Sequence, residues 1–419
     1  MCSAEEVHLK KADMKINLWA DEARDLLLTL PMKLQTETIP LAAACSRVLA
    51  SDVTTQLAMP PFDRSPYDGY ALRSQDASGA SEENPVVLHI TEEIPAGHVP
   101  AVPVTKGTAA KILTGAPMPT GADCVVPFEV TEFDEKMVRL FRPVPAGSNV
   151  ILAGEELPKG QKLLEKGTLL TPPMLGMLAS QGYDTCEVFE RPGAALITTG
   201  SELQAPGEPL VPGKIYNSNG FALQGYLTAF GFRCEGFLAV PDNVEAISGA
   251  IQDALQTADV VVTTGGASVG DYDFATAAAQ RLGADILFWK TRIKPGSCIL
   301  AAQKDEKLIL CLSGNLGAAV TGLLRVALPY LRKRCGRKDL FPEEIVLPLK
   351  YPLKKESKVP RLLRGRLEIQ NGQAWFVETN GQGNGMLSAF CGMDLLGEVP
   401  ANSPPLPAGT PIRAYRLID

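Results

Sequence analysis

Histidine is scarce in this chain of 419 residues, which contains only three. His8, His89 and His98 form no cluster with the spacing of metal ligands, and none belongs to a recognisable Ser-His-Asp arrangement. The sequence therefore argues against zinc-peptidase chemistry and against hydrolases that use a histidine base.

The nine cysteines are scattered along the chain, and no two of them form a C-x-x-C motif. This distribution is typical of reduced thiols rather than of a disulfide framework or a zinc knuckle. No apolar run reaches the ~18–20 residues that a membrane helix needs. The first fifteen residues also lack the apolar core of a secretory signal. We therefore expect a cytoplasmic protein without a membrane segment.

Aromatic residues make up only 6% of the chain, and the formal net charge is −7. The negative charge argues against a protein that coats nucleic acid, because such a protein presents a basic face. By contrast, 45% of the residues are hydrophobic, and the 38 glycines and 33 prolines are many. The chain can therefore bury large cores, and its length predicts about two to four domains with many turns.

The two ends of the chain differ in texture from its middle. Apolar residues at helical spacing predict an amphipathic helix over 16–30 and a helix-like stretch over 41–53. Residues 340–419 have no helical period, and their short apolar runs and turns predict a small β-barrel or sandwich.

The segment 56–147 alternates short apolar runs with proline- and glycine-rich turns. This pattern predicts a mainly β domain with long loops. Residues 148–191 are mixed in character, and the run Thr171-Pro172-Pro173 predicts a helix start, with the helix ending near Ser180.

Strands and helices alternate between residues 192 and 336. Apolar, β-branched strands separated by helices predict a parallel, doubly wound sheet covered on both faces. The predicted strands are 193–198, 233–240, 259–264, 284–290 and 308–313, and the predicted helices are 221–230, 244–255, 274–282 and 317–331. The fold class expected for the chain is therefore multidomain, α/β plus β.

In a doubly wound sheet, ligands bind beyond the carboxyl ends of the strands. Four loops qualify, and they share glycines that let backbone N–H groups approach an anion, hydroxyl donors and a following helix. The residues predicted to bind an anion there are Thr199, Gly200, Ser201, Gly265, Gly266, Ser268, Gly270, Pro295, Gly296, Ser313, Gly314 and Asn315.

Charged side chains follow the same strands. Lys290 and Lys294 supply positive charge to the edge, which suits a phosphate or a tetrahedral oxyanion. Glu202, Asp242 and Asp273 would repel such a ligand unless a cation intervened, so Mg²⁺ is the natural inference. Taken singly, each residue can be explained by a structural role, as part of a turn, a surface lysine or a helix cap. Their convergence on one edge of the sheet favours a ligand-binding site.

Two loops of the β segment are also rich in polar residues. The first, residues 60–72, reads PPFDRSPYDGYAL and brings together two acids, a serine and an arginine. The second begins with ILTGAP at residue 112. Either loop is compatible with a braced turn that fills a core, and a functional role remains equally open.

These loops together resemble the MoeA family, the molybdopterin molybdenumtransferases, which include the E domain of gephyrin. The matching stretches occur in family order between about residues 16 and 335. They are PFDRSPYDGYAL, ILTGAPMPTGADCVVPFE, GEEL, ITTGSEL, IYNSNG, TTGGASVGDYDF, FWKTRIKPG and LSGN.

The resemblance implies four domains and a homodimer. A mixed α/β dimerisation domain would contain residues 16–55 and 148–191, and a mainly β domain residues 56–147. Residues 192–336 would form the molybdopterin-binding α/β domain, and residues 340–419 a C-terminal β-barrel.

The resemblance also implies a reaction: molybdate is inserted into adenylylated molybdopterin with release of AMP, with Mg²⁺ as the metal. The site would lie between the α/β domain of one subunit and the β domain of the other. By motif match, the catalytic residues would be Glu202, Asp242, Asp273, Lys290 and Lys294, with Asp63 and Thr114 from the partner copy. The three acids of the α/β domain would hold the metal, Ser218 and Asn219 would join the binding residues, and Glu156 matches an acidic family position.

Three departures from the family pattern leave alternatives open. The usual Pro-Gly-Asn-Pro loop reads Ser313-Gly314-Asn315-Leu316, Ser297 replaces a lysine, and residues 64–68 read RSPYD where the family has Asn-Ser-Ala-Met-Asp. Losing two prolines is expected to loosen the loop, and Arg64 is a candidate for the missing charge. A non-catalytic paralogue that binds the pterin or scaffolds partners is the alternative, and a generic nucleotide-processing enzyme is the third. Tungstate in place of molybdate, and the molybdoenzymes that accept the cofactor, also remain open.

Overall fold

The computed structural model describes residues 14–266 and 274–417. Their contacts divide into two compact units. The first contains the described residues up to Ser51, Lys166–Pro172 and those from Thr185 onward, and the second contains Asp52–Glu165 and Pro173–Asp184. Both units combine elements that are distant along the chain. The finer division into four domains stays a prediction.

Helices occupy a small share of the described residues. They are α1 Ala20–Leu28, α2 Pro172–Ser180, α3 Ser218–Ala229, α4 Val244–Ala254, α5 Phe274–Arg281, α6 Leu316–Gly322 and α7 Leu328–Arg334, with a π-helical turn at Leu323–Ala327. None of the described helices has the length and apolar character to cross a bilayer.

Strands form the larger share of the regular structure. In the first half they are β1 Lys15–Leu18, β2 Thr36–Pro40, β3 Val53–Thr54, β4 Gly69–Leu72, β5 Val86–Ile94, β6 Thr108–Ile112, β7 Cys124–Pro127, β8 Thr131–Phe133, β9 Met137–Leu140, β10 Lys162–Leu164, β11 Thr185–Phe189 and β12 Ala194–Thr199. In the second half they are β13 Leu203–Gln204, β14 Ile215–Tyr216, β15 Phe237–Val240, β16 Val260–Thr264, β17 Asp285–Thr291, β18 Ile299–Lys304, β19 Lys307–Leu312, β20 Glu344–Pro348, β21 Arg361–Gln370, β22 Gln373–Glu378, β23 Leu395–Val399 and β24 Pro411–Arg416.

A seven-stranded sheet organises the first unit, with the strand order β1-β17-β18-β19-β16-β12-β15. All of its pairings are parallel except the two that β18 makes, so the fold class is confirmed but the sheet is mixed rather than wholly parallel. β18 was not predicted from the sequence. It returns to β19 through Asp305 and Glu306, both at positive φ, which is the two-residue turn that suits a hairpin.

Helices cover both faces of this sheet, as the apolar strands predicted. Along β16, Val260 and Val262 pack in one core with Leu227 of α3, whereas Val261 packs in the opposite core with Ile251 of α4. Because successive side chains of a strand point to opposite faces, one continuous apolar run serves both cores. The sheet is therefore fixed between two layers.

The other sheets are largely antiparallel. In the second unit six strands pair in the order β7-β4-β6-β5-β9-β8, which confirms the mainly β character of 56–147. Near the C-terminus five antiparallel strands pair in the order β20-β24-β23-β21-β22. A bridge between Leu349 and Phe376 joins the two ends of that order, as in the predicted barrel.

Of the two helices predicted near the N-terminus, the first is shorter than expected and the second was wrong. The helix expected over 16–30 is limited to α1, because its first residues form β1 and pair with β17. The helix-like stretch over 41–53 contains only a 3-10 turn at Leu41–Ala43. Beyond that turn, Ser46 and Leu49 donate backbone hydrogen bonds to Leu170 and Thr168. Partners from a distant part of the chain replace the local helical bonds.

The helix predicted over 317–331 is interrupted rather than continuous. It widens into the π-helical turn at Leu323–Ala327 before α7 begins. Pro329, in the first turn of α7, has no N–H for the bond to the carbonyl four residues earlier, and this accounts for the change of winding. The predicted strand over 233–240 is likewise shorter, since only β15 is regular.

Candidate active site

The carboxyl ends of four parallel strands, β12, β15, β16 and β19, meet at one edge of the seven-stranded sheet. Thr264 pairs with Thr198 on one side and with Leu312 on the other, and Thr199 pairs with Val240. The loops that follow these strands therefore leave the sheet next to one another. This is the juxtaposition that the sequence predicted.

A cavity of about 380 Å³ opens between these loops. Ten of the predicted site residues line it, namely Thr199, Glu202, Ser218, Asn219, Asp242, Gly265, Gly266, Ser313, Gly314 and Asn315. Five further lining residues were not selected from the sequence, namely Thr198, Leu203, Ile215, Tyr216 and Thr264. Of these, Ile215 and Tyr216 belong to the IYNSNG motif, so the motif itself was the available signal.

Gly265 allows the loop after β16 to approach β12 closely. Its φ is +96°, and a Cβ atom at this position would lie 2.2 Å from the carbonyl oxygen of Thr199. Both the backbone conformation and the space therefore require glycine here. The close approach brings two strand ends together as one wall of the cavity.

Gly265→Ala is expected to lower the free energy of unfolding of the first unit by about 2 kcal/mol, since a strained backbone or a shifted strand must result. Urea denaturation followed by circular dichroism measures the change. Gly249→Ala is the matched control, because this exposed glycine lies within α4 and no atom is within 4 Å of the place that its Cβ would take. The free energy of unfolding of Gly249→Ala should rise by up to about 1 kcal/mol. An equal change in the stability of the two variants would contradict the close approach at Gly265.

A hydrogen-bond network ties the loop after β19 to its neighbours. The Asn219 side-chain amide donates to Thr264 Oγ1 at 3.0 Å and to the carbonyl oxygen of Gly314 at 2.7 Å. Thr264 Oγ1 donates to the Ser313 carbonyl at 2.9 Å, and the Asn315 N–H donates to Ser313 Oγ at 3.2 Å. Side-chain hydrogen bonds therefore hold this loop where the family pattern has prolines.

Two buried oxygen atoms in the cavity have no hydrogen-bond partner within the described part of the chain. They are Thr199 Oγ1 and Asp242 Oδ1. The other carboxylate oxygen of Asp242 accepts a hydrogen bond from the Ser201 N–H at 3.2 Å. Because buried polar atoms are almost always satisfied, these two are suited to contact a ligand or a metal ion.

The charges of the lining are negative. Glu202 and Asp242 contribute carboxylates, and no lysine or arginine lies among the lining residues that the structure describes. Nearby, the Lys214 ammonium donates to the Ser201 carbonyl oxygen, a contact that the sequence did not reveal. A cavity of this composition accepts a cation more readily than a bare phosphate.

The predicted lysines are not among the described lining residues, and the strand that contains Lys290 and precedes Lys294, β17, is separated from β19 by β18. The Lys290 ammonium lies 3.7 Å from the centre of the Trp289 ring, a cation–π contact. Lys294 is exposed, and its backbone N–H and carbonyl bond to Pro360 and to Leu362. Pro295 and Gly296 follow in the same loop, in which the Gly296 carbonyl accepts from Thr291 Oγ1 at 3.2 Å.

Three predicted site residues, Ser268, Gly270 and Asp273, lie outside the described residues. Gly200, at φ +156°, and Ser201 form the loop that joins Thr199 to Glu202. Among the described residues, no group of three or more histidine, cysteine, aspartate or glutamate side chains converges as a metal site.

The β-domain residues Asp63 and Thr114 are exposed on the second unit. Asp63 Oδ1 accepts a hydrogen bond from the Ala153 N–H at 2.7 Å. The Thr114 N–H and hydroxyl both donate to Asp68 Oδ1, at 2.7 and 2.8 Å. These two bonds, the backbone one first, hold the pKa of Asp68 below its ordinary value. Asp68 thus keeps its charge beside Thr114, a role that was not assigned from the sequence.

Glu156, the acid matched to a family position, is exposed in the same unit.

The fold and the cavity define a class of multidomain α/β proteins with a ligand site at the carboxyl edge of the sheet. In this class a β domain precedes the α/β region along the chain, and another follows it. Three family models match the chain. They are the MoeA N-terminal region (domain I and II) over residues 18–182, a probable molybdopterin binding domain over 195–333, and the MoeA C-terminal region (domain IV) over 346–417.

Relatives of known name cover most of the chain. A molybdopterin molybdenumtransferase of Staphylococcus aureus is 33% identical over 372 residues, which is 89% of both chains. That of Staphylococcus epidermidis is 35% identical over 348 residues, or 83% of both. The crystal structure of a molybdopterin biosynthesis MoeA protein from Pyrococcus horikoshii OT3 matches with a TM-score of 0.82 at 30% identity. It covers 96% of this chain and all of that one. The chain belongs to the MoeA family, and its place is in molybdenum cofactor biosynthesis.

Proposed function

We propose that this enzyme is a molybdopterin molybdenumtransferase that inserts molybdenum from molybdate into adenylylated molybdopterin and releases AMP. The observation that carries the proposal is the cavity at the carboxyl edge, where glycine-bounded loops and two carboxylates converge with two buried oxygens that have no partner among the described residues. Family membership supplies the substrate class. We place the reaction in the cytoplasm, because the scattered cysteines suit a reducing compartment.

Like charges are the main obstacle to such a transfer. Molybdate and a pyrophosphate-bearing pterin are both anions, and two unit charges 4 Å apart cost about 4 kcal/mol at an effective dielectric constant near 20. Lys290 and Lys294 lie at and just beyond the end of β17, which runs in the same direction as β19, so their loop leaves the same edge of the sheet. We assign them the role of offsetting part of this repulsion.

The lining fits Mg²⁺, which usually binds one or two carboxylates together with substrate phosphates. Glu202 and Asp242 would hold the ion, because Asp242 Oδ1 has no hydrogen-bond partner in the described part of the chain, and Asp273 is the third ligand that we propose. When bound, the ion would neutralise phosphate charge and polarise the bond that releases AMP. Asn219 and Thr264 hold the loop after β19 in place, and the Ser201 N–H orients the carboxylate of Asp242.

The test is a reconstitution with purified protein, adenylylated molybdopterin, molybdate and Mg²⁺. We expect release of AMP together with a cofactor that activates an apo-molybdoenzyme, the acceptor class that we propose as a partner. Substitution of tungstate shows whether the site discriminates between the two metals. Pterin binding by well-folded protein without AMP release would instead support a non-catalytic carrier, and no pterin binding would support another nucleotide enzyme.

Lys294→Ala is expected to weaken molybdate binding about tenfold at low salt, because a charged hydrogen-bond donor is lost. The salt dependence of binding should also become flatter, since added ions screen one charge fewer. Isothermal titration at low and high sodium chloride measures both effects. Lys106→Ala, at an exposed lysine of the second unit, is the control. Unchanged affinity in Lys294→Ala would limit this lysine to a structural role.

We further propose that the chain acts as a homodimer in which Asp63 and Thr114 of one copy complete the site of the other. Mixing Asp63→Asn protein with Glu202→Gln protein tests this. A mixed dimer would contain one intact site, so random exchange should restore about a quarter of the wild-type activity. Each variant alone should remain inactive. If the mixture is as inactive as its parts, the site does not take these residues from two copies.

A further inference from the structure

A second cavity lies at the opposite edge of the seven-stranded sheet. It has a volume of about 440 Å³, and we call it the apolar cavity. Pro192, which precedes β12, lines it together with Tyr226 in the second half of α3 and Cys335 after α7. Since β12 begins at Ala194, these residues mark the amino edge of the sheet, away from the cavity that contains Glu202 and Asp242.

The wall that α3 contributes is open and aromatic. Ala222, Gly225 and Ala229 lie three or four residues apart, so they share one helix face, and their small side chains leave the volume empty. Tyr226 and Phe230 add two rings, with centres 5.9 Å apart and planes inclined by 36°. A flat apolar group can pack against such a wall.

A smaller and more polar cavity of about 190 Å³ adjoins the apolar cavity, and we call it the basic cavity. The segment Glu190–Pro192 lines both. Lys33, Arg191, Arg233 and Arg334 contribute four positive charges to the basic cavity, against two negative charges from Glu190 and Asp259.

Two of the three arginines are available to a ligand. Arg334 forms an ion pair with Asp259 and donates to the Lys33 carbonyl oxygen at 2.9 Å. The side chains of Arg191 and Arg233 are exposed, and neither forms a hydrogen bond or an ion pair with another described residue. A guanidinium group binds carboxylate, phosphate and sulfonate groups through two parallel hydrogen bonds.

We propose that the two cavities form one binding site for a small amphipathic anion, which inserts a flat ring system into the apolar cavity and directs its anionic group to Arg191 and Arg233. The apolar cavity has the size and the predominantly apolar walls of small-molecule sites, which measure about 300–1,000 Å³. The excess of positive charge at one end selects the sign of the ligand. This site is independent of the proposed transferase reaction.

The probe is 1-anilinonaphthalene-8-sulfonate, a fused-ring sulfonate whose fluorescence rises when it leaves water. Titration of the full chain is expected to show saturable binding of one dye per chain. Gly225→Leu, which fills the apolar cavity, and the double variant Arg191→Gln with Arg233→Gln should each weaken binding at least tenfold. Arg139→Gln, at an exposed arginine of β9, is the matched control and should bind as the wild type does.

Gly225→Leu is suited to the test because Gly225 is exposed in mid-helix and has no atom within 4 Å of the position of a Cβ. Circular dichroism should confirm that it folds. Undiminished dye binding by the folded variant would overturn the assignment of the cavity. Undiminished binding by the double arginine variant would overturn the assignment of the anionic group.

Three further measurements distinguish this site from dye binding elsewhere on the protein. The anion 1-naphthoate should displace the dye, whereas 1-naphthylmethylammonium should not; equal displacement by both would refute charge selection. Glu202→Gln should leave the dye affinity unchanged, and a change would locate the dye in the active-site cavity instead. Dye bound per chain should stay constant with protein concentration. A fall as copies associate would mean that a second copy covers the cavity, and the proposal would then be wrong.

Discussion

Asp242→Asn is expected to slow molybdenum transfer by about 100- to 1,000-fold, the effect of removing one preorganised electrostatic contact from an active site. Asp242 lies in the cavity with one carboxylate oxygen bonded to the Ser201 N–H and the other buried without a partner among the described residues. Asparagine keeps the size of the side chain and can still accept the bond from Ser201. It loses the negative charge, and with it the affinity for a hard cation.

The measurement is the rate of AMP release at several Mg²⁺ concentrations. If Asp242 holds the ion, the variant should require more Mg²⁺ for half of its maximal rate, in addition to the fall in that rate. Asp253→Asn, at an exposed aspartate of α4, is the matched control and should be fully active. A variant that turns over at a near-normal rate would remove Asp242 from the catalytic set.

Glu398→Gln is expected to lower the free energy of unfolding by about 3 kcal/mol, because it leaves a buried guanidinium without one of its carboxylates. The Arg325 side chain is only 7% exposed. It bonds to Glu398 Oε2 and to Asp21 Oδ1, both at 2.9 Å. The Tyr415 hydroxyl donates to the same Glu398 oxygen at 3.0 Å. Burial opposes the charge on Arg325, but Glu398, Tyr415 and Asp21 together outweigh it, so the pKa of Arg325 lies above its ordinary value and the charge persists.

Urea denaturation followed by circular dichroism measures the loss. Glu344→Gln provides the control, since the Glu344–Arg413 pair joins neighbouring strands of the same barrel but is about half exposed on both sides. Exposed pairs contribute less than about 1 kcal/mol, so the two variants should differ clearly. Similar losses in both would show that burial does not decide the strength of the Arg325 network.

Low pH should remove the contribution of the Asp21–Arg325 ion pair to the stability of the fold. Burial raises the pKa of Asp21, but Arg325, Arg24 and Arg413 together lower it more, so the pKa in the folded state is below the ordinary value of 3.8. A carboxylate of this kind stabilises the fold above its unfolded pKa, and the contribution is lost as the pH falls through the folded value. The wild type should therefore keep this contribution at neutral pH and lose it only below about pH 4.

Much of the cavity could be predicted because it depends on one rule of topology. Parallel strands end at one edge, so the loops after β12, β16 and β19 had to be neighbours once the strands were recognised. That rule predicts where the loop backbones leave the sheet, but it does not predict which neighbours the loop side chains contact. Lys290 lies over Trp289, and Lys294 belongs to a loop bonded to Pro360 and Leu362, neither of which a local pattern reveals.

Elements that depend on distant partners were the ones missed. Residues 16–18 belong to the helical pattern predicted over 16–30, yet they pair with β17, far along the chain, and tertiary pairing overrides local preference. β18 is short and apolar, so its antiparallel direction could be read only from the turn at Asp305 and Glu306. The loss of loop prolines likewise suggested loosening, and the bonds from Asn219 and Thr264 that hold the loop come from other elements of the chain.

The pairing of β1 with β17 has a consequence during synthesis on the ribosome. Lys15 emerges early, but its partner Phe288 is made only when most of the first unit has been translated. Until then the nascent chain carries an unpaired strand edge, the kind of surface that recruits other chains and causes aggregation. We therefore expect chains that stop before Thr291 to be captured by chaperones or degraded, however well their earlier segments fold.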